Sequence, residues 1–412
     1  MSPRPRAALA LAAVAATALV LPPPLVVTAV LAVAAAVVVD ALAARRPPRV
    51  ERRAPTILAR GVPAPFVLAV ERGRNVRVRQ PVPPDLALDP QEADGNLTAT
   101  LVGRRRGRHA LPAPAARVDG PLGLGCWYHR PGEEGEVLVY PDLPGARRLA
   151  SAVRQGHFRE EGRTRGPLGL GTEFESVRQY LPDDDVRQIN WRATQRLGRP
   201  MSNQYRVERD RDVICVVDCG RLMAAPLGDR TRLDAALDAA VAVAAVADEL
   251  GDRCGAIAFD ADVRRALPPR RRGSKALVEA LFDAEPRAVD SDYERAFAVL
   301  GEAKRAFALV LTDLLDEAAA RPLVDALPVL ARRHVVAVAS AADPDLDAVL
   351  TREPERPLDV YRTAVALDVL AARERAAARL RHAAAEVVEA APAALPAACV
   401  RAYLRAKARA LV

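Results

Sequence analysis

Lysine is nearly missing from this chain: only Lys275, Lys304 and Lys407 stand among 60 basic residues. The net charge of +8 is therefore carried by arginine in a background rich in Ala, Val and Pro. That is a compositional bias rather than a phosphate-binding face, so nucleic acid is not an expected partner. The five cysteines (Cys126, Cys215, Cys219, Cys254, Cys399) form no Cys-x-x-Cys pair and share no zinc spacing with histidine. Cys215 and Cys254 lie inside apolar runs and read as small buried thiols of a reducing compartment. Phosphate cradles are absent too: there is no Gly-x-Gly-x-x-Gly after the first α/β strand and no Gly-x-x-x-x-Gly-Lys-[Ser/Thr]. No Gly-x-Ser-x-Gly elbow occurs, and the histidines (His109, His129, His157, His334, His382) are scattered. These gaps leave no catalytic constellation, and the chain is not expected to be an enzyme.

What is present begins with hydrophobicity. Ala7 to Val39 carries no charge and is interrupted only by Pro22, Pro23 and Pro24. A helix crossing a bilayer needs about 20 residues, and three prolines break a longer one because each removes a backbone donor. The expectation is a transmembrane hairpin of two short helices within 1–44, at roughly 7–21 and 25–44. Arg4 and Arg6 flank one end, Arg45, Arg46 and Arg49 the other, and no arginine lies between. By the positive-inside rule both ends face the cytoplasm, giving a multi-pass protein of the cell membrane with a cytoplasmic body. The rival is a cleaved signal peptide, against which the second apolar segment and its basic flank speak.

With 412 residues, two or three domains are expected. Residues 45–53 read as a basic juxtamembrane linker. Across 54–141, Phe66–Val70, Asn75–Val78, Leu97–Val102 and Glu136–Tyr140 show the alternation of strands, which predicts a small antiparallel β-sandwich. Trp127 and Tyr128 are assigned to its core. A connector spans 142–210 and contains a dense motif from Gly171 to Arg192. There Phe174, Tyr180 and Trp191 alternate with Arg178, Arg187 and Arg192 around the acidic run Asp183, Asp184, Asp185. Aromatics with arginine forks suit either a partner contact or an internal latch. The latch, with Arg187 and Trp191 holding the segment against the following domain, is the simpler reading.

From 211 to 350 the chain alternates strands and helices. Asp212–Val217 and Phe307–Thr312 are apolar runs ending at Asp218 and Asp313, as in parallel strands buried on both faces. Thr231 caps a long helix with Asp234 at its third position. Such alternation builds a doubly wound, mostly parallel sheet, in which ligands sit beyond the strand carboxyl ends. Residues 351–412 are Ala- and Arg-rich and read as a C-terminal helical region.

On these residues the chain resembles the bacterial domain-of-unknown-function-58 family. The resemblance rests on Glu173-Phe174, Arg178-Gln179-Tyr180, Ile189-Asn190-Trp191, Val216-Val217-Asp218, Asp292-Tyr293, Leu311-Thr312-Asp313 and the tail Tyr403-Leu404-Arg405-Ala406-Lys407. It implies two membrane segments, a β-rich domain and a von Willebrand factor A-like α/β domain, with genes near those of MoxR-type AAA+ ATPases. Two departures stand out. Where the family often has Pro-Gly-Asp-Asp and Ile-Asp-Trp, this chain has Pro182-Asp183-Asp184-Asp185 and Ile189-Asn190-Trp191. Metal-binding von Willebrand factor A domains carry Asp-x-Ser-x-Ser, a later Thr and a later Asp. Here the loop is Asp218-Cys219-Gly220-Arg221-Leu222, so both hydroxyls are missing. The set Asp218, Ser291, Asp313 is a degenerate site at most; no cofactor is expected, Mg²⁺ being the one candidate. The resulting expectation is a membrane-anchored cytoplasmic interaction or scaffold module working with a MoxR-type ATPase. Its contacts would come from the motif (Arg178, Tyr180, Asp184, Asp185, Arg187, Trp191) and from a rim bearing Arg221 and Tyr293. The alternative is a metal-dependent hydrolase using Asp218 and Asp313.

Overall fold

A computed structural model describes residues 2–17, 19, 22–71, 75–156, 173–181, 184, 186–206, 211–314 and 317–408. The chain divides into two units, Met1–Tyr140 and Pro141–Val412.

The first unit opens with a short strand β1 (Ser2–Pro3) and two apolar helices, α1 (Pro5–Thr17) and α2 (Pro23–Ala43). Pro22 is the N-cap of α2 and Pro23 and Pro24 fill its first turn, where a missing N–H costs nothing. At 21 residues, α2 is long and apolar enough to cross a membrane, with a mean hydropathy of 2.6 over its most apolar window. The expected first span is a helix of only 13 residues, shorter than a bilayer requires.

The rest of the unit is β. Strands β2 (Arg49–Arg53), β3 (Ile57–Ala59), β4 (Ala64–Glu71), β5 (Val76–Arg79), β6 (Leu86–Asp89) and β7 (Glu92–Asp94) are followed by β8 (Leu97–Gly103), β9 (Gly107–Leu111), β10 (Ala115–Asp119), β11 (Gly125–His129) and β12 (Gly135–Tyr140). They form sheets ordered β2-β4-β8-β6, β1-β11-β10-β5-β7 and β3-β12-β9. Every pairing is antiparallel except β3 with β12. Alternating Phe66, Leu68, Leu97 and Leu101 fill the core between them. Two expectations change here. The segment 45–53 is no mere linker: β2 pairs with β4, and Val50 packs on the core. Tyr128 is exposed and Trp127 half-buried, so neither fills the core as expected.

The end of α2 is fastened to the β10–β11 loop. Asp40, buried, accepts backbone N–H bonds from Leu122 (2.8 Å), Leu124 (2.7 Å) and Gly125 (2.9 Å). A Cβ on Gly125 would lie 2.7 Å from both the Ala41 Cβ and the Val37 carbonyl, so only glycine lets the helix approach. The chain's first residues grip the same loop: Ser2 pairs with Cys126, Pro3 with Gly125, and Arg4 with Asp119.

The second unit begins with α3 (Leu143–Arg154), capped by Asp142. An arm follows, made of β13 (Glu173–Gln179), α4 (Trp191–Leu197) and β14 (Met201–Arg206), its two strands antiparallel. Then come β15 (Asp212–Asp218), a two-rung ladder of β16 (Pro226–Leu227) and β17 (Arg230–Thr231), α5 (Arg232–Glu249), β18 (Arg253–Phe259), β19 (Val263–Arg271), α6 (Ser274–Leu281) and α7 (Tyr293–Gly301). The chain closes with β20 (Ala306–Leu311), α8 (Glu317–Ala331), β21 (Val335–Ala341), α9 (Pro344–Thr351), α10 (Pro357–His382), β22 (Glu386–Ala390) and α11 (Leu395–Ala408). The main sheet runs β19-β18-β15-β20-β21-β22, parallel except for the antiparallel edge strand β19. Every residue of β15 and β20 is buried, which is why these runs are apolar throughout. Thr231 and Asp234 form the expected capping box.

The α/β body therefore extends past 350. β22 is its sixth strand, and α11 packs behind it, with Tyr403 and Lys407 both bonded to the fully buried Asp252. Val387 and Val388 are too short a β signal to stand out within an Ala- and Arg-rich stretch.

Candidate functional site

Strand order reverses between β15 and β20, the switch point at which doubly wound sheets bind ligands. Asp218 ends β15 there and is 1% exposed. Its Oδ1 accepts from the Gly220 N–H (2.7 Å) and the Ser291 hydroxyl (2.5 Å), its Oδ2 from the Thr312 hydroxyl (2.7 Å) and the Tyr293 phenol (3.1 Å). Of the about four lone-pair sites of a carboxylate, the Gly220 N–H and the Ser291 hydroxyl take two, and the Thr312 and Tyr293 hydroxyls, which also bond each other, take at least one more. Gly220 belongs to this arrangement: a Cβ at that position would collide with the Ser291 hydroxyl. The hydroxyl missing from the loop after β15 is thus supplied by Ser291 from another loop.

Tyr293 is not the exposed rim residue that was expected. It is 6% exposed, sits edge-on to Phe259 and bonds Thr312 (2.8 Å) as well as Asp218. Burial first, and the Asp218 charge next, push its phenol well above the ordinary value. Arg221 does lie on the surface, where its Nε donates to the equally exposed Asp290 (2.5 Å).

Asp313 belongs to a second network, beyond the end of β20. Its Oδ1 receives Arg232 Nη1 (2.8 Å) and the Ser340 hydroxyl (3.2 Å), and Arg373 Nη2 lies 3.3 Å away. Arg232, the first residue of α5, also reaches the Ala341 carbonyl and Asp343; Arg373, on α10, reaches Glu389 and Ala341. Both guanidinium groups are buried. Desolvation lowers the Arg232 pKa while Asp313 works against that shift, yet an arginine stays charged under such conditions.

Mg²⁺ requires several oxygen ligands free to face it. Asp218 is bonded by the protein's own donors and Asp313 Oδ1 faces two guanidinium groups, which leaves few of these oxygens open toward a shared ion. Among the described residues no group of three His, Cys, Asp or Glu side chains is arranged for one. Sequence reasoning overlooked Thr312, Arg232, Ser340 and Arg373. The last had a signal, a lone arginine on the buried stripe Ala366, Arg373, Ala377, Leu380 of α10.

The motif is held together from within. Arg178 forks onto Asp184 (2.8 and 2.6 Å), keeping that carboxyl below its usual range, and Asp184 also accepts the Leu181 N–H (2.8 Å). The Tyr180 phenol donates to the Asp184 carbonyl (3.0 Å). Asn190, in place of the family's aspartate, caps α4 through Ala193 and bonds Asn203, a role either residue fills. Trp191 is 68% exposed rather than packed as a latch. Asp185 and the Arg187 side chain, along with Gly171, lie outside the described residues.

The profile of the family described as "Protein of unknown function DUF58" matches residues 176–386. Uncharacterized proteins of Mycobacterium tuberculosis and Mycobacterium bovis are 28% identical over 183 residues, 43% of this chain and 56% of theirs. The chain thus spans little more than half the length of these curated relatives.

Proposed function

Because the chain belongs to the protein family of unknown function DUF58, whose title assigns no chemistry, we propose from its own geometry a membrane-anchored interaction module. The α/β unit is read as a von Willebrand factor A-like domain that presents an ion-independent rim to a protein partner, a MoxR-type AAA+ ATPase. One observation carries this reading: at the switch point, Asp218 is engaged by the Gly220 N–H and the Ser291 and Thr312 hydroxyls, and Asp313 Oδ1 by Ser340 and two guanidinium groups. Such a face is held in place by the protein's own groups without a ligand, which favours a contact surface over the metal-dependent hydrolase. The doubly wound strand order supports the von Willebrand factor A-like assignment.

Anchoring is by the N-terminal apolar segment, as a hairpin whose two ends lie on the cytoplasmic side. The reading is supported by β1 and Asp40 gripping one loop, and by arginines flanking both ends.

The test is reconstitution of the full-length chain with a MoxR-type ATPase from the same genome. Arg221→Glu, on the exposed rim, is expected to weaken capture roughly tenfold with the melting temperature unchanged. Equal capture by the variant and the wild type would remove the rim as the interface.

A further inference from the structure

Two surfaces of the second unit carry exposed apolar side chains and opposite charge. The first is α4 with its flanks. Trp191 and Leu197 are each more than half exposed. Arg192, Arg196 and Arg199 accompany them, with no acidic residue from 190 to 200. Among the described residues none of these three arginines has a carboxylate partner. Such a combination, a large exposed aromatic among exposed arginines, is the composition of interface anchors rather than of solvated helix faces.

The second surface is the amino-terminal half of α10 together with the segment leading into it. Leu358, Tyr361 and Val365 recur at helical spacing on one face, and each is more than half exposed. The later half of the same helix is buried through Arg373, Ala376, Ala377 and Leu380, so the earlier half continues beyond the packing it needs for the fold. From 344 to 368 six carboxylates stand against three arginines, with Glu353 and Glu355 exposed just before the helix. A contiguous apolar stripe of this kind on a soluble unit marks an association site.

We propose that these surfaces are partners: α4 of one chain docks on the acidic, apolar stripe of α10 in a second copy. The net charge of +3 across 190–200 matches the net −3 across 344–368, and each surface supplies the apolar anchor the other leaves uncovered. Among the described residues both stay exposed, and the occupant of each is assigned to another molecule. Because the two surfaces differ, the contact is head-to-tail, and repeating it yields a ring or an open row rather than a closed symmetric dimer. Tethering to a membrane raises the effective concentration of copies and favours such association. The contact uses neither Arg221 nor the strand-end rim, so it stands or falls independently of the ATPase reading.

The experiment is mass photometry of the full-length chain in lipid nanodiscs or detergent across a dilution series. The wild type is expected to form concentration-dependent assemblies. Arg192→Glu with Arg196→Glu, and separately Glu353→Arg with Glu355→Arg, should each weaken association about tenfold or more. All four positions are exposed, so the melting temperature should hold in each variant and serves as the folding control. A chain carrying all four changes should assemble again, because the reversed surfaces complement each other. A wild type that stays monomeric at every concentration overturns the proposal. So does assembly that neither reversal weakens, or that the combined variant fails to regain.

Discussion

Asp218 and Trp191 make an instructive pair. Asp218 sits where doubly wound folds do their chemistry, yet it is buried and ringed by four of the protein's own hydrogen-bonding groups. Trp191 belongs to a motif that read as a structural latch, yet it projects from the arm with two-thirds of its surface open. The difference teaches that position and residue type indicate where a group lies, whereas the count of satisfied partners indicates whether it is available. A carboxylate engaged by the protein's own donors organises the fold. An indole with two-thirds of its surface open is available to another molecule.

The sharpest way to break this contrast is at the buried rim. Asp313→Ala would remove the carboxylate that the buried Arg232 and Arg373 share, leaving them only Asp343 and Glu389 as partners, and breaking a buried pair costs up to about 3–5 kcal/mol. A marked fall in melting temperature on thermal denaturation is expected. Near-wild-type stability would mean that the network is dispensable and the site open to other uses.

The effect at the arm should be far smaller. Trp191→Ala removes an exposed side chain, and substitutions of that kind usually stay within about 0.5 kcal/mol. A loss approaching the roughly 3–5 kcal/mol of a core tryptophan, measured by the same denaturation, would restore the latch.

Much of the α/β unit was legible from sequence because its determinants are local. Two apolar runs stop at aspartates, and Thr231 and Asp234 announce a helix start that holds as a capping box. The pairing of Asp313 with Arg232 links residues 81 positions apart, and no local pattern signals a contact of that range. β22 was hidden for another reason. Its Glu-Val-Val-Glu-Ala stretch follows a 26-residue helix and precedes another, so helix propensity dominated any window drawn around it. Tyr293 misled because tyrosine is common at recognition surfaces, and its burial follows from Phe259 and Asp218, which approach from other strands. The arm was visible as a motif, but whether its tryptophan faced inward depended on what packs against it.

The central claim, a rim that works without a metal ion, is tested most directly by isothermal titration of the full-length chain in detergent with Mg²⁺ and Mn²⁺. With Asp218 engaged by the protein's own donors and Asp313 held by two arginines, no saturable heat is expected at low micromolar ion. A saturable isotherm that disappears in Asp218→Ala would contradict the account and return the strand-end carboxylates to metal chemistry.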